Sequence, residues 1–122
     1  MTVKVLIADD DPSMRSALGE MVGMEPGFEV VALAEDPETA INLAGVHHPD
    51  VALLDVKMPG GGGVRAAEGI RVASPGTRIL ALSAWDDGET MDRMQRAGAS
   101  GYLVKGSAPD DIFEVIRRVT GQ

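Results

Sequence analysis

The chain has no cysteine, which excludes a disulfide framework and any thiolate-bound metal and fits a reducing compartment. It also has no apolar run approaching the ~20 residues needed to cross a bilayer. Met1-Thr2-Val3-Lys4 lacks a signal peptide's apolar region and cleavage site, so a cytoplasmic protein without membrane contact is expected. Positive charge is scarce. Eleven Lys and Arg stand against 19 Asp and Glu, giving a formal charge of −8. That balance repels nucleic acid at long range, so any DNA binding must lie on another segment or chain. What is present is 122 residues, 44% of them hydrophobic, the size of one compact domain with a real core. A single domain over residues 1–122 is the expectation.

The most informative stretch is Leu53-Leu54-Asp55-Val56-Lys57-Met58-Pro59. Val51 to Leu54 has no polar face, as in a parallel strand covered on both sides. Asp55 ends it, and a carboxylate there is costly unless something meets it. Similar apolar runs occupy Val3 to Ala8, Phe28 to Ala34, Arg78 to Leu82 and Gly101 to Val104, and each gap is long enough for a helix. The first gap opens with Asp11-Pro12, a cap followed by proline at the first helical position, and continues with Met14, Ala17, Leu18, Met21 and Val22 at helical spacing. The second repeats the device with Asp36-Pro37 and the apolar positions Ala40, Leu43 and Ala44. His47 and His48 close that helix, where their charge suits its dipole. The third begins with Gly60-Gly61-Gly62-Gly63, too permissive for helix, before Ala66, Ile70 and Ala73. The fourth, from about Asp87 to Ala97, is the weakest, with Met91 and Met94 as its apolar pair. In the last, Ser107 and Asp110 have capping-box spacing ahead of Ile112, Val115, Ile116 and Val119.

Strands alternating with helices imply a parallel α/β sheet, and right-handed crossovers make it a doubly wound three-layer sandwich. A strand order of 2-1-3-4-5 is expected. In such sheets the site lies beyond the carboxyl ends of the strands, where the winding reverses, between strands 1 and 3. Strand 1 ends Asp9-Asp10-Asp11, strand 3 at Asp55, strand 4 at Ser83 and strand 5 at Lys105. Clustered carboxylates need a cation, because unit charges ~4 Å apart repel by roughly 4 kcal/mol at an effective dielectric near 20. All-oxygen ligands suit Mg²⁺. A carboxylate beside Mg²⁺, an ammonium and a hydroxyl is the setting of a phosphoryl acceptor, whose product is an aspartyl phosphate.

Asp9-Asp10, Asp55 with Met58-Pro59, Ser83-Ala84 and Gly98-Ala99-Ser100-Gly101-Tyr102-Leu103-Val104-Lys105 together resemble the response regulator receiver domains of two-component signalling, over the whole chain. The resemblance implies the flavodoxin-like (CheY-like) fold. It implies Asp10 as the principal acidic Mg²⁺ ligand with Asp9 assisting through water, and Asp55 as phosphoacceptor and ligand. The backbone carbonyl of Lys57 completes the protein's share. Ser83 bonds the phosphoryl group, Lys105 pairs with it, and Tyr102 is the aromatic switch that follows Ser83. It further implies a histidine kinase as donor, homodimerisation on phosphorylation, and remodelling of the face built by helix 4, strand 5 and helix 5.

Two departures refine the resemblance. Lys105-Gly106-Ser107 replaces the frequent Lys-Pro and is similar to the NarL/FixJ subfamily, whose output is a LuxR-type helix-turn-helix. That output is not in this chain, so an excised or stand-alone receiver is expected. The glycine tract implies a mobile loop after Asp55. Lys57 and Trp85 occupy the variable positions that flank the path of water to the phosphoryl group, and Trp85 is expected to slow its hydrolysis. Two competing readings have less support. A phosphorylation-independent interaction module leaves Asp9, Asp10, Asp55, Ser83 and Lys105 without purpose. A phosphohydrolase built on Asp9 and Asp11 lacks the chain to cap its substrate.

Overall fold

A computed structural model describes residues 2–84 and 88–121. The elements run β1 (Val3–Ala8), α1 (Pro12–Met24), β2 (Phe28–Ala34), α2 (Pro37–His47), β3 (Val51–Asp55), α3 (Gly62–Ala73), β4 (Arg78–Ser83), α4 (Gly88–Arg96), β5 (Gly101–Val104) and α5 (Pro109–Thr120). The strands form one sheet in the order β2-β1-β3-β4-β5, all pairs parallel. This is the doubly wound three-layer sandwich read from the alternation.

Side chains alternate between the two faces along each strand, and the core divides accordingly. Leu6, Ala8, Ala52, Leu54, Ile79 and Ala81 pack under the alanine-rich faces of α2 and α3 and under Met94 of α4. Val5, Ile7, Val51, Leu53, Leu80, Leu82 and Leu103 pack under α1 and α5. Every residue of β3 is buried, as its unbroken apolar run requires. Phe28 and Phe113 close the second layer edge to face, their centroids 5.5 Å apart, with the Arg117 guanidinium 4.9 Å over the Phe28 ring.

Side-chain capping explains the starts of α1 and α2. The Asp11 carboxylate accepts from Ser13 N–H and the Asp36 carboxylate from Thr39 N–H, each followed by proline. At the far end of α2, His48 takes a left-handed cap (φ 46°) with its N–H on the Ala44 carbonyl, 2.9 Å.

Several expectations are corrected. α3 starts inside the glycine tract, at Gly62, because the backbone passes so close to β3 that side chains do not fit. A Cβ on Gly62 would lie 2.6 Å from the Val56 carbonyl oxygen, and one on Gly63 2.9 Å from that of Asp55. Two of the four glycines are therefore packed against the end of β3, with Gly62 in a left-handed turn (φ 67°) that opens α3. α5 starts at Pro109 with Ala108 as its cap residue and no side-chain cap bond. The Ser107 hydroxyl instead donates to the Val104 carbonyl, 2.6 Å, so the capping box does not form. Ala17 is exposed, leaving Leu18 and Val22 as the buried residues of α1. Among the described residues, no helix is long and apolar enough to cross a membrane.

Candidate functional site

Parallel register sets the site. Ala8 pairs with Leu54, Asp55 with Leu82 and Ser83 with Val104. The residues that follow, Asp9 after β1 and Lys105 after β5, therefore emerge at the same edge as Asp55. Lys105 Nζ lies 2.9 Å from Asp9 Oδ2 and 3.1 Å from Asp55 Oδ2, so one ammonium bridges two carboxylates. Both carboxylates are buried, Asp9 at 0% exposure and Asp55 at 4%. Asp10 is exposed, yet it offers an oxygen that falls with one each from Asp9 and Asp55 inside a 4.8 Å cluster.

Each atom of Asp9 is held from a different direction. Its N–H donates to Ala34 of β2, 3.0 Å. Oδ1 accepts from Asp11 N–H, 2.9 Å, and the main-chain oxygen accepts from Arg15 Nη1, 2.9 Å. Oδ2 has the Lys105 ion pair but, among the described residues, no hydrogen bond aligned on it. Asp55 Oδ1 accepts from Lys57 N–H, 3.2 Å, which folds the chain after the strand back over the carboxylate.

The electrostatics follow from burial. Asp55 is pushed above the usual carboxylate range, first by burial and further by the charge of Asp9, against the pull of the Lys57 N–H and Lys105. Burial alone would lower the Lys105 ammonium, but its bonds to Asp9 and Asp55 outweigh this and raise it. One ammonium among three carboxylates leaves the cluster two negative charges in excess. Hard oxygen donors, that excess and an unaligned buried oxygen on Asp9 together suit a divalent cation such as Mg²⁺.

Ser83 is buried at the end of β4. Tyr102 is half-buried on β5 opposite Ala81 and lines a cavity of about 290 Å³ between α4 and β5, with Met91, Met94 and Gln95 on its α4 side. Alternation puts Ser83 and Tyr102 on the same face of the sheet. Lys57 is exposed. Trp85 lies outside the described residues, so its expected shielding role has no structural counterpart here.

Sequence reasoning did not single out Arg15 or Arg65. Arg15 follows the Asp11 cap by one helical turn, and a basic residue so close to an acidic strand end was the available signal. Arg65 Nη1 donates to the Gly60 carbonyl, 3.1 Å, and its Nη2 meets Glu38, 3.4 Å. It thereby ties the loop after Asp55 to α2.

Comparison with known proteins gives a consistent result. The family model of the response regulator receiver domain matches residues 5–117. The chain is similar to the transcriptional regulatory protein DegU of Brevibacillus brevis, 37% identical over 96% of this chain and 50% of that protein. It is equally similar to the nitrate/nitrite response regulator protein homolog of Haemophilus influenzae, 37% identical over 96% of this chain and 56% of that protein. The chain thus spans about half the length of the curated relatives it matches. Among solved structures, the receiver domain of NarL from Mycobacterium tuberculosis superposes with a TM-score of 0.92 at 32% identity, covering 98% of this chain and 97% of that one.

Proposed function

The chain belongs to the response regulator receiver domain family, and on that premise we propose that it accepts a phosphoryl group on Asp55 from a histidine kinase, with Mg²⁺, and passes the signal to an output. One observation carries the reading: a single ammonium bridges two buried carboxylates beside a third that faces solvent. A core gains nothing from burying such a cluster, since its net charge opposes folding, whereas a phosphoryl acceptor needs every part of it.

The metal would be held by Asp9, Asp10 and Asp55, with the backbone carbonyl of Lys57 as a further ligand. When bound, it supplies charge compensation for the phosphoryl oxygens. Asp55 is the nucleophile. One carboxylate oxygen forms a bond to phosphorus while the bond from phosphorus to the kinase imidazole nitrogen breaks, and that nitrogen keeps the electron pair. Lys105, released from part of its carboxylate pairing, would meet a phosphoryl oxygen. The Ser83 hydroxyl would donate to another. On this reading the chain has no external substrate to turn over and catalyses only its own phosphorylation and dephosphorylation.

Residues 1–122 act as one receiver domain in the cytoplasm. Phosphorylation would draw Ser83 toward Asp55, reorient Tyr102, and remodel the face of α4, β5 and α5. The consequences would be homodimerisation and control of transcription through a separate helix-turn-helix output domain. The subfamily resemblance and the names of the relatives support that last step.

The test is incubation with a small acyl phosphate and Mg²⁺ followed by intact mass. The expected result is one phosphoryl group on the wild type and none on Asp55→Asn or without divalent metal. A wild type that gains no mass would overturn the reading in favour of a module that works without phosphorylation.

A further inference from the structure

We propose that Arg15 is a positioning residue for the metal: it fixes the Asp9–Asp10 peptide and thereby aims the Asp10 carboxylate. This rests on the metal-dependent reading above. The two adjacent aspartates are held very differently. Asp9 is buried and held at four atoms, whereas Asp10 is exposed and, among the described residues, has no hydrogen bond or ion pair. The carboxylate best placed to face an incoming ion is therefore the one with nothing on its own side chain to orient it. Its direction is set by its backbone.

Two contacts bear on the peptide that joins the two aspartates: the turn closed by Asp11 N–H on Asp9 Oδ1 spans it, and Arg15 alone bonds its carbonyl directly. Nη1 donates to the Asp9 carbonyl oxygen at 2.9 Å. A peptide is planar and rigid, so holding its oxygen holds the plane on which Asp10 is mounted. Arg15 is itself well anchored. Its N–H donates to the Asp11 carbonyl, 2.9 Å, in the first turn of α1, and that turn is pinned by the Asp11 side chain on Ser13 N–H. The chain Ser13, Asp11, Arg15, Asp9 closes a small loop of hydrogen bonds around the strand end. Without the guanidinium only the Asp9–Asp11 turn holds that peptide, and the Asp10 carboxylate is aimed less firmly into the 4.8 Å cluster.

The proposal has a sign that a charge effect does not share. A guanidinium near a cation site repels the cation, so if Arg15 acted through its charge alone, its removal would tighten Mg²⁺ binding. If it acts by positioning, removal weakens binding. Supporting partners of metal ligands typically contribute ~10-fold or more in affinity.

The experiment is titration of the protein with Mg²⁺, followed by backbone-amide chemical shifts, for wild type, Arg15→Met, Arg15→Lys and Asp10→Asn. Arg15→Met is expected to bind about 10-fold more weakly. Arg15→Lys, which keeps one donor in place of the fork, is expected to fall between Met and wild type. Phosphorylation of Arg15→Met from a small acyl phosphate should return to the wild-type rate at saturating Mg²⁺. Binding of Mg²⁺ to Arg15→Met as tight as wild type, or tighter, would overturn the assignment while leaving the metal site intact. A wild type that binds no Mg²⁺, or an Asp10→Asn variant that binds it as well as wild type, would overturn the metal reading itself.

Discussion

Replacing Lys105 with Met keeps the side-chain stem and removes the ammonium that bridges Asp9 and Asp55. The two contacts, at 2.9 and 3.1 Å, are each worth ~5 kcal/mol of gross attraction at an effective dielectric near 20. Desolvation of the ammonium offsets much of that, and breaking a buried pair typically costs ~3–5 kcal/mol. The Lys105 side chain is 18% exposed, so screening brings the expected loss just below that range, to about 2–3 kcal/mol. For a domain of this size that lowers Tm by roughly 10 °C. The pH dependence identifies the cause. Because its folded pKa is raised, Lys105 contributes stability below its unfolded pKa of about 10.5, lost only as pH rises through the folded value. Its charge is thus constant between about pH 5 and 8. In the variant, Asp9 and Asp55 confront each other across no more than 4.8 Å, a repulsion of ~3.5 kcal/mol that uptake of a proton relieves. The deficit should therefore shrink from about pH 8 to pH 5, and should shrink again in millimolar Mg²⁺. Urea unfolding followed by circular dichroism measures both. A deficit of the same size under all three conditions would mean that the ammonium does not balance these carboxylates.

Asp55 has a raised folded pKa, so its ionisation works against the fold above that value, and protonation restores stability as pH falls through it. Asp55→Asn should accordingly be more stable than wild type at neutral pH without divalent metal, and the gap in urea midpoints should close as pH falls through the raised Asp55 value. Gly63→Ala sets a Cβ 2.9 Å from the Asp55 carbonyl oxygen and should cost about 1–3 kcal/mol by overpacking. Gly76→Ala, where nothing lies within 4 Å, should be neutral or slightly stabilising, by under ~1 kcal/mol; thermal melts of the pair test the contrast. Thr77→Val removes a buried hydroxyl that donates to the Pro49 carbonyl and accepts from Ser74, both at 2.7 Å. The expected loss is about 1–3 kcal/mol, and chemical denaturation should find it without any change in phosphorylation.

The sheet order and the meeting of Asp9, Asp55 and Lys105 were legible because both follow from one pattern. Short apolar runs separated by helix-length gaps suit strands of a parallel sheet, and charges at their carboxyl ends then share an edge. What was not legible depends on distances that no periodicity encodes. The glycine tract reads as loop from composition, yet α3 begins within it at Gly62, where a left-handed φ of 67° and the close backbone of Val56 both require glycine. Ser107 has the right spacing to cap α5, but its hydroxyl finds the Val104 carbonyl first and Pro109 already supplies the helical φ. The His48–Ser74–Thr77–Pro49 network joins residues far apart in the chain, so no local signal could have predicted it.

Strand alternation also separates chemistry from signal. Asp9, Asp55 and Lys105 continue the set that contains Ile7, Leu53 and Leu103, the layer under α1 and α5. Ser83 continues the set that contains Ala81, the layer under α2, α3 and α4, to which Tyr102 also belongs. The charged cluster and the hydroxyl–aromatic pair therefore sit on opposite sides of the same sheet edge. On the proposed function, a phosphoryl group on Asp55 extends past that edge, and this gives a buried event on one side a route to Ser83 on the other. From Ser83, displacement would run along one face to Tyr102, two strand positions back on β5, and into the cavity beside α4. On this route Ser83→Ala should uncouple Tyr102 from the acceptor without weakening the attraction between Lys105 and Asp55.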